Sequence, residues 1–244
     1  MAWDNVANRM ILFGGNAGDT LKNTKNLSDT WEWDGESWTQ LDDSGPAARS
    51  YFGMASDMSR NRVVLFGGLT TPLEQFFGDT WEWDGTGWSQ QEETGPSPRS
   101  ASGITFDSGR GRTVLFGGTR PGATEAEVNL GDTWEWSGAA WVRVSTFGPS
   151  GRLGAALGFD GSKVILFGGG FETAAGSVIP LGDTWSWDGR FWTQRQDIGP
   201  LPRFGRAMAF DGSRKKMVLF GGTGPSNRNL ADTWELAERP APGG

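Results

Sequence analysis

Residues 79–85 read Asp-Thr-Trp-Glu-Trp-Asp-Gly, and the apolar run that precedes them, residues 63–68, reads Val-Val-Leu-Phe-Gly-Gly. The Asp-Thr-Trp and Phe-Gly-Gly parts of these phrases each occur five times, at intervals of about fifty residues. Phe-Gly-Gly begins at Phe13, Phe66, Phe116, Phe167 and Phe220, and Asp-Thr-Trp begins at Asp29, Asp79, Asp132, Asp183 and Asp232. A repeat of this length predicts an array of similar units, because one unit cannot bury both of its faces alone.

Each repeat is predicted to contain four short strands, which we name A, B, C and D. In the second repeat they span residues 49–57, 63–66, 79–83 and 88–91. The runs are β-branched or alternate between apolar and polar residues, and turn residues separate them. The Asp-Gly step between strands C and D is a hairpin-turn signal. Repeated four-stranded antiparallel units predict an all-β fold, a β-propeller with five recognisable blades.

The repeat places residues 1–236 in a single domain. Its blades have the approximate bounds 1–41, 42–91, 92–144, 145–195 and 196–236, and residues 237–244 are expected to form a flexible tail rich in Pro and Gly. The first blade lacks the arginine that opens the others, and the fifth ends before a strand D. These incomplete end blades leave three alternatives open: closure by face packing alone, a longer natural chain, or self-association through the end blades.

The glycine pair after an apolar strand, with spaced aromatic residues behind it, resembles the motif of the kelch family of β-propellers. The pairs are Gly14-Gly15, Gly67-Gly68, Gly117-Gly118, Gly168-Gly169 and Gly221-Gly222. The resemblance covers residues 1–236 and implies a kelch-type propeller, although kelch propellers more often have six or seven blades. It implies almost nothing about activity, because one scaffold hosts many functions.

Composition excludes several classes of function. The chain has 29 acidic and 22 basic residues, a net charge of −7, and neither histidine nor cysteine. An acidic chain is a poor partner for nucleic acid, and no apolar run approaches the ~20 residues of a membrane span. Without His or Cys there is no disulfide, no zinc site with those ligands and no His-based triad. The sequence therefore indicates no metal or cofactor. We also find no secretory signal ahead of the repeats, and composition does not define the compartment.

The strand order predicts where a ligand would bind. In an up-and-down meander, the B–C loops and the D–A linkers share one face, which we call the loop face. The A–B and C–D turns share the opposite face, which we call the turn face. Only the B–C loop varies freely in length between repeats. Because variable loops on a rigid scaffold usually carry binding, we expect any ligand on the loop face, over the central opening.

An arginine opens strand A in four repeats. These residues are Arg49, Arg99, Arg152 and Arg203. One interpretation is a cationic ring that grips an anion at the mouth of the propeller. The favoured interpretation is structural: each arginine pairs with the aspartate of an Asp-Thr-Trp phrase, since both lie at the same end of a blade. The aspartates concerned are Asp29, Asp79, Asp132, Asp183 and Asp232.

The resemblance also implies which side chains line the mouth, namely those just after each arginine and just after the glycine pair. Carried over to this chain, it nominates Ser50, Ser100, Phe204, Arg206, Asn16, Arg120 and Phe171. The carboxylates of the B–C loops are Asp19, Glu74, Glu125, Glu127 and Glu172. Two converging carboxylates could serve glycoside hydrolysis, but no spacing in the sequence forces them together, and solvated loop charge is the simpler interpretation.

The leading hypothesis is a non-enzymatic binding or interaction module for a protein, small-molecule or glycan ligand. One alternative is a hydrolase or lyase that uses the loop carboxylates and arginines, which a deep polar pocket would favour. The other is a repeat array that assembles through its end blades, which unpaired edges would favour. A shallow mouth with exposed Phe76, Phe77 or Phe171 would favour binding.

Overall fold

The computed structural model describes residues 1–18, 25–41, 44–71, 75–91, 94–122, 128–195, 199–205 and 207–236. Over these ranges the protein is all-β, with four four-stranded antiparallel sheets followed by one three-stranded sheet. A two-stranded hairpin and a 3-10 turn at Pro225–Asn227 complete the regular structure. No helix in the described ranges is long and apolar enough to cross a membrane.

The sheets follow one another along the chain. The first consists of β1 (Ala2–Asp4), β2 (Arg9–Ala17), β3 (Lys25–Trp33) and β4 (Trp38–Gln40). The second consists of β5 (Gly53–Asp57), β6 (Arg62–Phe66), β9 (Thr80–Trp83) and β10 (Trp88–Gln91), with the hairpin β7 (Leu69–Thr70) and β8 (Gln75–Phe76) between β6 and β9. The third consists of β11 (Gly103–Asp107), β12 (Arg112–Phe116), β13 (Thr133–Trp136) and β14 (Trp141–Ser145). The fourth consists of β15 (Ala156–Phe159), β16 (Val164–Glu172), β17 (Val178–Trp187) and β18 (Trp192–Gln194), and the fifth of β19 (Ala207–Asp211), β20 (Lys216–Phe220) and β21 (Thr233–Leu236).

Strands B, C and D of the second repeat lie within one residue of their predicted bounds, but strand A was predicted to start too early. It begins at Gly53 rather than at Arg49. The reason is Tyr51, whose φ of 55° turns the chain out of the extended conformation. Residues 49–52 therefore form a separate bend, in which Ser50 bridges Leu69 of the B–C connection.

The prediction that the B–C connections are loops was wrong for the first and fourth sheets. There, β2 and β16 continue past the glycine pair and form long hairpins with β3 and β17. The register shifts at the glycine pair in both sheets. Both glycines have positive φ, which kinks the strand while hydrogen bonding resumes beyond the kink.

The tryptophans tie the sheets together through two repeated indole hydrogen bonds. The tryptophan of strand D donates its Nε1–H to the threonine of the preceding sheet's Asp-Thr-Trp phrase: Trp88 to Thr30 at 3.0 Å, Trp141 to Thr80 at 2.8 Å and Trp192 to Thr133 at 2.8 Å. The second tryptophan of strand C donates to a carboxylate of the preceding sheet: Trp83 to Asp4, Trp136 to Glu82 and Trp187 to Glu135. We call this arrangement the sheet joint.

An aromatic contact completes each sheet joint. The strand D tryptophan meets the phenylalanine of the preceding sheet's Phe-Gly-Gly edge to face, with ring centroids 5.3–5.5 Å apart, in the pairs Phe13–Trp88, Phe66–Trp141 and Phe116–Trp192. The joint therefore combines buried aromatic area with satisfied indole donors. The innermost strands β1, β5, β11, β15 and β19 contact one another in chain order, an arrangement consistent with a β-propeller-like fold.

Candidate binding face

The four arginines that open strand A are buried and fully engaged by the protein. Arg99 is 2% exposed, and its Nη1 and Nη2 donate to the two carboxylate oxygens of Asp132 at 2.6 and 3.0 Å. Nη1 also donates to the carbonyl of Gly117, and Nε donates to the carbonyl of Ser97. The same pattern joins Arg49 to Asp79, Arg152 to Asp183 and Arg203 to Asp232. These guanidinium groups hold the chain together and do not face an anion at the mouth.

The arginines also determine the protonation of their aspartates. Burial raises the pKa of Asp79, Asp132 and Asp183, but the hydrogen bonds and charge of the paired arginines outweigh it, and the pKa is lowered overall. The indole of the following tryptophan adds a hydrogen bond, such as that of Trp134 to Asp132 at 2.7 Å. These carboxylates are therefore held ionised at neutral pH and cannot supply a proton there.

Asp29 of the first repeat differs from its counterparts in the other four. Its carboxylate accepts a hydrogen bond from Trp31 Nε1 at 2.7 Å, as in the other repeats. Over the described part of the chain, however, no arginine pairs with it, because no Arg precedes strand A of the first repeat. Asp29 thus keeps the hydrogen bond from the tryptophan of its own Asp-Thr-Trp phrase but lacks the buried ion pair with an arginine.

A ladder of left-handed residues crosses the loop face at the centre of the molecule. The residue two positions after each arginine has positive φ: 55° at Tyr51, 52° at Ala101, 56° at Gly154 and 63° at Gly205. Ala101, Gly154 and Gly205 each donate the backbone N–H to the carbonyl of the counterpart in the preceding repeat, at 2.7, 2.7 and 3.2 Å. We call these four residues the mouth ladder. The sequence analysis missed it, although two of the four aligned positions are glycine.

Tyr51 is the conspicuous member of the mouth ladder. Left-handed backbone at a non-glycine residue costs about 1–2 kcal/mol, and Gly occupies the equivalent position in two other repeats. The Tyr51 side chain is nevertheless 59% exposed. It is also the only tyrosine in the chain. An exposed aromatic phenol is thus held in a strained conformation on the loop face.

The structure places the nominated mouth residues at different depths. Ser50 and Ser100 are buried, and Ser50 Oγ accepts a hydrogen bond from Asn26 Nδ2 at 3.1 Å. These two serines therefore lie beneath the surface of the mouth and do not line it. Asn16 is exposed and accepts from the same Asn26 amide at 2.6 Å. Asn16, Asn26 and Ser50 are therefore brought together across the first and second sheets.

The other nominated residues lie further along the loop face. Phe204, Phe171 and Arg120 are half-buried. The ring of Phe204 lies over Gly170, so that a Cβ there would come within 3.4 Å of it, and Phe171 is the next residue along β16. Arg206 lies outside the described residues. Phe77 is covered by the Arg49 guanidinium, 3.8 Å from its ring centroid, and Phe76 is half-buried.

Two buried asparagines that the sequence analysis did not single out connect neighbouring loops. Asn26 Oδ1 accepts from the backbone N–H of Thr71 in the next sheet. Asn129 exchanges two 2.7 Å hydrogen bonds with the backbone of Glu172 in the next sheet. A signal was present in the sequence, because both asparagines stand three residues before an Asp-Thr-Trp phrase, as does Asn229 in the fifth repeat. Side-chain-to-backbone hydrogen bonds therefore connect the loops of neighbouring repeats on the loop face.

Of the five predicted loop carboxylates, only Glu172 lies within the described residues, so no catalytic pair of loop carboxylates is observed there. Glu172 accepts from Thr119 Oγ1 at 3.2 Å, and its backbone is held by Asn129. The other four predicted carboxylates, Asp19, Glu74, Glu125 and Glu127, lie outside the described residues. No group of three acidic residues within the described ranges is arranged to hold a metal ion.

A cavity of about 460 Å³ lies between the innermost strands near the turn face, away from the predicted mouth. All five repeats contribute to its walls, which are mainly apolar and rich in methionine. The methionines that line it are Met1, Met54, Met58 and Met208. Phe106, Phe159 and Phe210 come from equivalent positions of successive strands A. The sequence analysis did not anticipate this cavity.

Comparison with known proteins gives the fold alone. No family model and no curated protein matches the chain. Solved structures do match, 186 chains in number. The structure of YjhT is similar with a TM-score of 0.72 and 14% sequence identity, over 92% of this chain and 77% of that one. At that identity the likeness concerns the path of the backbone and carries no site residues across.

Proposed function

We propose that this chain is a kelch-type β-propeller of five blades that acts as a non-enzymatic binding module through its loop face. The blade assignment is supported by the succession of antiparallel sheets, by inner strands that contact one another in chain order, and by the likeness to YjhT. The kelch assignment is supported by the glycine pair, whose two residues have positive φ in all five repeats.

The observation that carries the binding proposal is the strained, exposed Tyr51 on the mouth ladder. Backbone strain that the surrounding structure maintains is a common feature of binding sites. Tyrosine offers a flat apolar ring and a hydroxyl at low conformational cost, which suits recognition of sugars and peptides. Because the four strand A arginines are neutralised by aspartates, we expect the ligand to be a neutral glycan or an uncharged peptide segment.

The proposal is tested by screening defined neutral and acidic oligosaccharides and unstructured peptides for an increase in Tm, since a ligand of the folded state stabilises it. Compounds that raise Tm are then measured by calorimetry on the wild type, Tyr51→Ala and Phe191→Ala. Phe191 is a matched control, an exposed aromatic residue in a C–D turn on the turn face. We expect Tyr51→Ala to weaken binding by about tenfold or more and Phe191→Ala to leave it unchanged. Equal affinity for both variants, or no compound that raises Tm, would overturn the proposal.

A further inference from the structure

The sheet joint has two different halves. The accepting half lies on the earlier sheet and consists of the phenylalanine of Phe-Gly-Gly, the threonine of Asp-Thr-Trp and a carboxylate. The donating half lies on the later sheet and consists of the two tryptophans whose indole N–H groups reach those acceptors. The three joints between the first and fourth sheets share this polarity. Any sheet that carries one half exposed has a defined chemical complement.

The fifth sheet carries an exposed accepting half. Phe220 is 54% exposed, whereas Phe66 and Phe116 at the same position are 1% exposed. Thr233 is exposed, whereas Thr80 and Thr133 at the same position are completely buried. Glu235, equivalent to the acceptors Glu82 and Glu135, is exposed as well.

The first sheet carries an exposed donating half. Trp38 is 43% exposed, whereas its counterparts Trp141 and Trp192 are 5% and 9% exposed. Trp33 is half-buried, in contrast to the buried Trp136 at its position. The two tryptophans of the first sheet already stand 5.4 Å apart, close to the 5.6 Å between Trp136 and Trp141 within their joint. The donating half is therefore preformed.

We propose that a second copy of this chain docks its first sheet onto the fifth sheet and reproduces the sheet joint between molecules. In this contact, Trp38 of one protomer packs edge to face on Phe220 of its partner and donates to Thr233, while Trp33 donates to Glu235. Both halves belong to one sequence, so the complement of each exposed sheet is present in every copy. The surfaces differ, so the contact is head to tail and generates a ring or a growing chain rather than an isologous dimer. It uses a different surface from the loop face and does not depend on the proposed ligand.

The test is sedimentation velocity of the full chain over roughly a hundredfold range of concentration, where head-to-tail contacts appear by mass action. Three variants accompany the wild type: Trp38→Glu, Phe220→Glu and the control Phe191→Glu. All three replace exposed aromatic residues, and near-ultraviolet circular dichroism checks that they fold. We expect the wild type and the control to exceed the 26.3 kDa monomer mass as concentration rises. We expect Trp38→Glu and Phe220→Glu each to remain monomeric.

A mixing experiment distinguishes this contact from other modes of association. Trp38→Glu keeps a functional fifth sheet, and Phe220→Glu keeps a functional first sheet, so an equimolar mixture is expected to form a 1:1 dimer and nothing larger. A mixture that stays monomeric overturns the proposal, as does a variant that still associates alone. A wild type that is monomeric at every concentration also overturns the proposal. In that case the exposed surfaces of the first and fifth sheets would have to bind a partner of different chemistry.

Discussion

Arg99 and Asp132 show how a single residue pair organises one end of a sheet. The guanidinium is buried, its bidentate partner is partly exposed, and its remaining donors hold backbone carbonyls on both sides. Sequence could predict this pairing, because the arginine and the aspartate recur at fixed positions that lie at the same end of a repeat. It could not predict the burial of Ser50 and Ser100, which depends on the left-handed bend that follows each arginine.

Removing the aspartate of a buried pair is expected to destabilise the fold more than removing its unpaired counterpart. Asp132→Asn leaves the buried Arg99 charge uncompensated and should lower the free energy of unfolding by about 3 kcal/mol. Asp29→Asn is the matched control, since the same phrase there lacks an arginine in the described part of the chain. That change should be less than about 1 kcal/mol. Urea unfolding of both variants measures the difference, and equal losses would contradict the structural role of the arginines.

The same pairs predict the pH dependence of stability. The pKa of Asp79, Asp132 and Asp183 is lower in the folded chain than its ordinary value. Their stabilisation is therefore complete above the unfolded pKa of about 3.9 and is lost as pH falls below it towards the folded pKa. We expect the urea midpoint to fall between about pH 5 and pH 2, and to fall less in Asp132→Asn than in the wild type. A variant with the full wild-type acid dependence would contradict the assignment.

From the second sheet onward, the sheet joint follows a pairing rule between successive strands C, whereas in the first joint Trp83 donates to Asp4 of β1. The acceptor and the donor change together along the chain: Glu82 faces Trp136, Glu135 faces Trp187, but Ser186 of the fourth sheet is followed in the fifth by Leu236. At the joint of the fourth and fifth sheets, the strand C carboxylate and the indole N–H are therefore both absent. This correspondence follows from the cost of burying an indole donor without an acceptor.

A double-mutant cycle on Glu135 and Trp187 tests the pairing rule. The substitutions Glu135→Ser and Trp187→Leu copy the residues found at the joint of the fourth and fifth sheets. Glu135→Ser alone leaves a buried indole N–H without its acceptor, so the two changes together should cost less than the sum of the single changes by about 1 kcal/mol or more. Urea unfolding of the four proteins gives the coupling energy. Additivity within about 0.3 kcal/mol would show that the bond between them is unimportant.

The repeat motif alone could not predict that the hairpins β2–β3 and β16–β17 extend past the glycine pair. A glycine pair after an apolar run is a typical strand end, and in the second sheet β6 does end there. In β2 and β16 the same pair kinks the strand without ending it, because partner residues from β3 and β17 remain within hydrogen-bonding reach. What decides between the two outcomes is the length and pairing of the chain that follows, and the repeat motif does not contain that information.

For the whole molecule, the repeat predicted the order of the sheets along the chain but not the apolar cavity between their inner strands. Met1, Met54 and Met208 occupy equivalent positions of their repeats, three residues before the last aspartate of strand A, whereas Met58 directly follows strand A of the second repeat. They converge on one cavity only because the five inner strands are brought together. The molecule therefore offers two central regions, the mouth ladder on the loop face and the methionine-lined cavity near the turn face.

We propose that ligands bind on the loop face, and the chain has a natural reporter for each central region. Its single tyrosine, Tyr51, lies on the mouth ladder, and four of its six methionines line the cavity. We would label the chain with 3-fluorotyrosine and methyl-¹³C-methionine and titrate it with the compounds that raise Tm. We expect the fluorine resonance to shift to saturation while the methionine methyl resonances stay in place. Shifts of the methionine methyls with an unmoved fluorine resonance would place the ligand in the cavity and contradict binding at the mouth ladder.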